Sequence, residues 1–209
     1  MNPAVTALVL YVVGLGGAFG LRTWLMVRRT GTTGFKGLSG PVGSAGWVGG
    51  ALFVVALLAA VAAPVLQLLG LIEPVGVLDR QPVHIVGAVI AVVGILGTLW
   101  AQQAMGDSWR VGVDESEHTE LVRSGAFALV RNPIFTAMIT AAFGLAMLTP
   151  NPVAVVAVIA LVVAIQLQVR AVEEPYLLAE HPSSYASYAA QVGRFLPGVG
   201  RLPLDSEGR

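Results

Sequence analysis

Long apolar runs separated by short polar breaks dominate the chain. The first covers 4–27. At about 1.5 Å per residue, a helix of that length crosses a hydrocarbon core of about 30 Å. It shows no basic start and no small-residue cleavage pattern, so it is expected to be a lasting helix rather than a signal peptide. The second run, 42–71, is long enough to tilt, and Pro64 is expected to kink it. The third is 83–105. The fourth, 133–148, opens on Asn132-Pro133, a helix start because proline loses nothing in a first turn. The fifth is 153–169. The last two lie near the lower limit for spanning, and the tight Thr149-Pro150-Asn151-Pro152 turn predicts an antiparallel hairpin. From 171 the chain mixes polar and aromatic residues, which predicts an amphipathic helix. The last dozen residues read as a loose tail.

The pattern therefore predicts an all-α, polytopic integral membrane protein. It would have five transmembrane helices, the last two a hairpin, plus a cytoplasmic C-terminal amphipathic helix. Three regions follow: N-terminal helices over 1–105, a functional region over 106–197 and a tail over 198–209. Gly16 and Gly20 form a Gly-x-x-x-Gly pair and predict a close packing face on the first helix. The glycine string from Gly14 to Gly20 follows no strand, so a nucleotide-binding loop is excluded.

Composition agrees with this pattern. Of 209 residues, 56% are hydrophobic and only 11% charged, and mean hydropathy is +0.78, far from a soluble domain. Net charge is zero, so no global field draws in nucleic acid. There is no cysteine, which excludes disulfides, thiolate catalysis and cysteine metal sites. His84, His118 and His181 are scattered, and no metal site is expected. The apolar runs carry no central Asp, Glu, Lys or Arg, which argues against ion-coupled transport.

Basic residues set the expected orientation. Of the twelve Lys and Arg, Arg80 alone falls in a loop on the opposite side from the others. The N-terminus is expected outside an inner (cytoplasmic) membrane, and the C-terminus and the polar 106–132 loop inside.

Two stretches on that inner face carry more detail than a connector needs. The first is 119–135, polar, glycine-broken and proline-stopped, with Arg123 and Arg131 inside it and Asp114, Glu115, Glu117 and Glu120 at or just before its start. The second follows the last apolar run: Arg170, Glu173-Glu174, then Tyr185 and Tyr188. Arg170 and Glu174 stand four apart, on one helix face. An ordinary intrahelical salt bridge is the plain alternative for that pair.

Taken together, the residues resemble the isoprenylcysteine carboxyl methyltransferase family. That family lies within a wider class of small membrane methyltransferases that includes phospholipid methyltransferases. The resemblance rests on Leu121-Val122, Gly125-Ala126-Phe127, Arg131-Asn132-Pro133-Ile134-Phe135, Glu173-Glu174, Tyr185 and Tyr188, and Arg194-Phe195-Leu196-Pro197, in order. It spans about half the chain. It implies a methyltransferase using S-adenosylmethionine and a small lipophilic acceptor, isoprenylcysteine-carboxylate-like, at the cytoplasmic membrane edge. It also implies that Thr119, Glu120, Leu121, Val122, Phe127, Asn132, Pro133, Ile134 and Phe135 line the cofactor pocket. Glu174 would pair with the cofactor's ammonium, and Arg170 would face the acceptor as the catalytic-site residue. Membrane lipids are the implied surroundings.

Three positions depart from the family pattern. Phe127 and Phe135 stand where a tyrosine is usual, and Asn132 where histidine is usual, which leaves the acceptor open. Tyr185 and Tyr188 read as packing residues. Trp100 and Trp109 read as interface anchors. His118, one imidazole in an acidic loop, reads as solvated. Two other function classes fit the architecture. One is an NADPH-dependent membrane reductase of sterol-reductase type, which would need extra basic residues for the cofactor phosphate. The other is a non-enzymatic membrane assembly protein, in which Arg170 and Glu174 would be replaceable.

Overall fold

A computed structural model describes residues 1–33, 40–105 and 121–203. Thr119 and Glu120 of the expected cofactor pocket lie outside the described residues, as do Trp109 and His118. Among the described residues the chain is helical, and strand-like pairing is limited to isolated bridges.

Helix α1 is Pro3–Thr30. The Asn2 side chain accepts the Ala4 N–H at 2.9 Å, with Pro3 in the first turn, so the helix start is capped. Its middle, Gly16–Leu21, is π-helical. Helix α2 is Ala45–Leu68, capped by Ser44, whose hydroxyl accepts the Trp47 N–H. Helix α3 is Gln81–Met105. Helix α4 is Pro133–Leu148. Helix α5 is Pro152–Glu180, with a π-helical stretch over Val169–Glu173. Helix α6 is Pro182–Gln191.

Large apolar side chains point outward and small ones inward. Ile85, Val89, Val93 and Leu96 of α3 are exposed, whereas Ala56, Ala63, Ala91, Ala157 and Ala164 are buried. This reverses the pattern of a soluble bundle and is what a lipid solvent selects. Helices α1, α2, α3 and α5 are long and apolar enough to cross a membrane. The fourth of the five expected spans, α4, has 16 residues, or about 24 Å, short of the hydrocarbon core.

The pairing of helices differs from a simple terminal hairpin. Although α4 and α5 are joined by the short turn, α4 lies chiefly along α3, and α5 along α2. Glycines explain the first pairing. A Cβ at Gly94 would run into the Ala141 backbone, one at Gly144 into Ala91, and one at Gly87 would sit 2.7 Å from the Met147 Cβ. The expected packing pair, Gly16 and Gly20, meets nothing within 4 Å; a Cβ at Gly14 or Gly17 would instead touch Ile95 or Leu99 of α3. The packed edge of α1 is thus the i, i+3 pair Gly14 and Gly17.

At the end where α5 starts, Asn151 is fully buried. Its carbonyl oxygen caps Ala154, and its amide donates to the Ala63 carbonyl and to Gln67. Every hydrogen-bonding group of that amide therefore finds a partner inside an apolar bundle. At the opposite end, the expected amphipathic helix after 171 is instead the last turns of α5 followed by α6, broken at His181. Tyr185, Tyr188 and Ala189 of α6 are buried against Leu121, Leu177, Val192 and Leu202.

Candidate functional site

The chain gathers its buried charge at the end of the bundle where α3 stops and α4 starts. Residues 121–132 arrive there as an irregular segment with one 3₁₀ turn, Gly125–Ala128, whose Gly125 takes a positive φ of 60°. The segment is held from two sides. Tyr188 of α6 donates its hydroxyl to the Phe127 carbonyl at 2.6 Å. The chain after α6 runs beside it: Arg131 N–H donates to the Gly193 carbonyl at 2.8 Å, and Asn132 N–H to the Arg194 carbonyl at 3.1 Å. The Asn132 side chain adds a second bond to the Arg194 carbonyl, and the Thr136 hydroxyl donates to that of Phe195. Residues 198–203 of the expected tail are tied as well, through Gly200 to Arg131 and through Leu202 to Ala189.

Glu174 sits in the middle of this frame, 7% exposed. Arg194 donates from Nε to Oε1 at 2.7 Å and from Nη2 to Oε2 at 2.8 Å, a bidentate fork. Arg131 approaches the same Oε1 with Nη2 at 3.0 Å. That Nη2 also donates to the Gly200 carbonyl at 2.8 Å. The Arg131 side chain is 1% exposed, and among the described residues its Nε and Nη1 have no hydrogen-bond partner. Its guanidinium lies 5.9 Å from the centre of the Tyr185 ring.

The electrostatics follow the contacts. The hydrogen bonds to Glu174 raise the Arg194 pKa above its ordinary value, against the opposing pull of burial. Burial pushes the Tyr188 phenol up to about 12, opposed by nearby Arg131 and Arg123. The same desolvation raises Tyr185 further, again opposed by Arg131. Both phenols are therefore neutral, and that of Tyr188 serves as a donor.

The residues expected at the site divide into groups. Glu174, Asn132 and Phe127 belong to the frame just described. Leu121 packs under the α6 tyrosines, Val122 is half-buried and Pro133 buried at the start of α4. Ile134 is half-buried, and Phe135 packs with Phe53 and Phe195 on the buried Ile165 and Val169. Arg170 stands apart. It is exposed, and its Nε donates to the Gln166 Oε1 at 2.7 Å. Among the described residues no ion pair joins it to Glu174, because Glu174 is taken from across the fold by Arg131 and Arg194. The intrahelical salt bridge, the plain alternative for that pair, is thus not formed, and longer-range pairs hold Glu174 instead.

Arg131, Arg194 and Tyr188 emerge as site residues with roles that spacing did not assign. A signal existed: a glutamate in a buried position requires cationic partners, and both arginines lie in the quoted stretches. Among the described residues the arrangement pairs buried charge and poises no nucleophile or base. It suits a reaction whose demands are alignment and dryness.

Residues 82–184 match the model of the phospholipid methyltransferase family. The match runs from α3 into α6, taking in Arg131, Arg170 and Glu174 and ending before Arg194. No curated protein and no solved structure matches the chain.

Proposed function

We propose that this chain, a membrane methyltransferase whose residues 82–184 belong to the phospholipid methyltransferase family, moves a methyl group from S-adenosylmethionine to a small lipophilic acceptor at the cytoplasmic membrane edge. The acceptor we favour is a lipid-like carboxylate of the isoprenylcysteine kind. The observation that carries this reading is Glu174, a buried carboxylate at the end of an apolar helix, held in place by the Arg194 fork.

The residues present fit the cofactor. Glu174 offers a fixed anion for an ammonium, and the apolar side chains of Leu121, Val122, Phe127, Ile134 and Phe135 lie on the segments that converge beside it. Asn132 and Pro133 set the start of α4. Thr119 and Glu120 complete the proposed pocket. Bound S-adenosylmethionine supplies a methyl group whose sulfur keeps the bonding electron pair when it departs. A carboxylate acceptor needs no proton removed, so no general base is required. The work of the protein is to align the acceptor oxygen with the methyl–sulfur bond and to exclude water. Arg170, steadied by Gln166, would hold the acceptor's polar end. The apolar outer faces of the helices leave the acceptor's tail in the bilayer.

The test is transfer of labelled methyl from S-adenosylmethionine into lipid extracts by the purified protein. Label in the organic phase that alkali releases as methanol marks a carboxyl methyl ester. Label that survives alkali moves the acceptor atom to nitrogen or sulfur. No binding of S-adenosylmethionine, with tight binding of NADPH, would overturn the reading in favour of a reductase.

A further inference from the structure

We propose that Arg131 receives the carboxylate of the cofactor's amino-acid end, while Glu174 receives its ammonium. This rests on the methyltransferase reading and assigns Arg131 a binding role that the resemblance does not give it. The observation behind it is the pair of unpartnered donors on a side chain only 1% exposed. A buried guanidinium normally fills its hydrogen bonds, and two nitrogens without a partner on one are uncommon. The Tyr185 ring, at 5.9 Å, is at the outer limit of a cation–π contact and does not replace two hydrogen bonds.

The two arginines are not equivalent. Arg194 is spent on Glu174 through both carboxylate oxygens. Arg131 reaches Glu174 with one nitrogen only, and shares that nitrogen with the Gly200 carbonyl. Oε1 of Glu174 accepts from both. An incoming ammonium would displace the weaker partner, Arg131, and leave the Arg194 fork intact. Arg131 would then turn its unfilled donors and the released one to a carboxylate beside the ammonium. The result is an alternating row of charges: Arg194, Glu174, ammonium, carboxylate, Arg131. A zwitterionic α-amino acid fits that row, and a ligand lacking either charge does not. The Gly200 contact also makes Arg131 the link between the ligand and the segment after α6.

The experiment measures affinity, not turnover, on the full chain in detergent. The probes are S-adenosylhomocysteine, which carries both charges, and its decarboxylated analogue, which keeps only the ammonium. Wild-type protein should prefer the former by roughly ten- to a hundredfold, the usual effect of losing charge-assisted hydrogen bonds. In Arg131→Gln the two probes should bind alike. If Arg131→Gln fails to fold, Arg131→Lys carries the test: a point charge should cut the preference to a few-fold. Equal binding of both probes to wild type, or a preference unchanged in the variant that folds, would overturn the proposal. Either result leaves the methyltransferase reading intact, whereas failure of S-adenosylhomocysteine to bind wild type at all removes both. A purely structural Arg131 would change melting and leave the ratio of affinities where it was.

Discussion

Arg194 grips Glu174 through two parallel hydrogen bonds, 2.7 and 2.8 Å long, from a position twenty residues away in the chain. Both side chains are mostly buried, so breaking the pair leaves a buried carboxylate with one weaker partner. Arg194→Ala should destabilise the protein by about 3 kcal/mol. Arg194→Lys should recover little of that, because an ammonium cannot reproduce the fork. Thermal unfolding in detergent reads both, and wild-type melting of Arg194→Lys would show that charge alone suffices.

Glu174 and its neighbour Glu173 should separate in binding. Glu174→Gln removes the fixed anion and should weaken S-adenosylmethionine binding by about 1.5–3 kcal/mol. Glu173→Gln should change it far less. Equilibrium binding decides, and equal small effects would place the cofactor's ammonium elsewhere.

Arg170 should split binding from turnover. It is exposed, and among the described residues its hydrogen bond lies within its own helix, so Arg170→Ala should fold normally and hold the cofactor. Methyl transfer should nevertheless be lost, with poor rescue by Arg170→Lys. Normal turnover by a folded Arg170→Ala protein would remove the residue from the site.

Helix packing gives a prediction independent of chemistry. Gly144→Ala places a methyl group against the Ala91 backbone, where there is no room. It should lower stability by about 1–3 kcal/mol. Gly16→Ala and Gly20→Ala face open space and should melt like wild type. A large effect at Gly16 or Gly20 would mean that another chain covers that face.

Tyr188 predicts an alkaline limit. Its phenol titrates near 12 in the fold and about 10 when exposed. The stabilisation is therefore fully present below pH 10 and is lost as pH rises through 12. Tyr188→Phe should cost about 1 kcal/mol at neutral pH by orphaning the Phe127 carbonyl. The difference in melting between the two proteins should shrink above pH 10, and a constant difference would detach the effect from ionisation.

Much of the helix layout was legible because apolar length and proline or asparagine starts are local signals. Pro133 opens a helix where expected, the next helix starts at Pro152, one residue before the expected 153, and Ala45–Leu68 lies inside the 42–71 run. Partner choice was not legible. The apolar runs look alike in composition, and what pairs α4 with α3 is the spacing of Gly87 and Gly94 against Gly144. At the site, Glu174 was legible as an important acid. Its partners were not, since Arg131 and Arg194 reach it through folded segments rather than along one helix. The i, i+4 spacing of Arg170 and Glu174 could say that they share a helix face, but not which arginines would hold Glu174.

The pairing of α3 with α4 inside the pairing of α2 with α5 also fixes an order of assembly. The inner pair is adjacent along the chain, so it can close as soon as α4 has been synthesised, while α2, which meets α1 less extensively, gains its main partner only when α5 follows it. During that interval the buried alanines of α2 face lipid or a chaperone. Asn151, at the start of α5, supplies the bonds to Ala63 and Gln67 that end the wait. A chain stopped after Leu148 would hold its inner pair and leave α2 waiting, with Glu174 and both of its closing contacts still unmade.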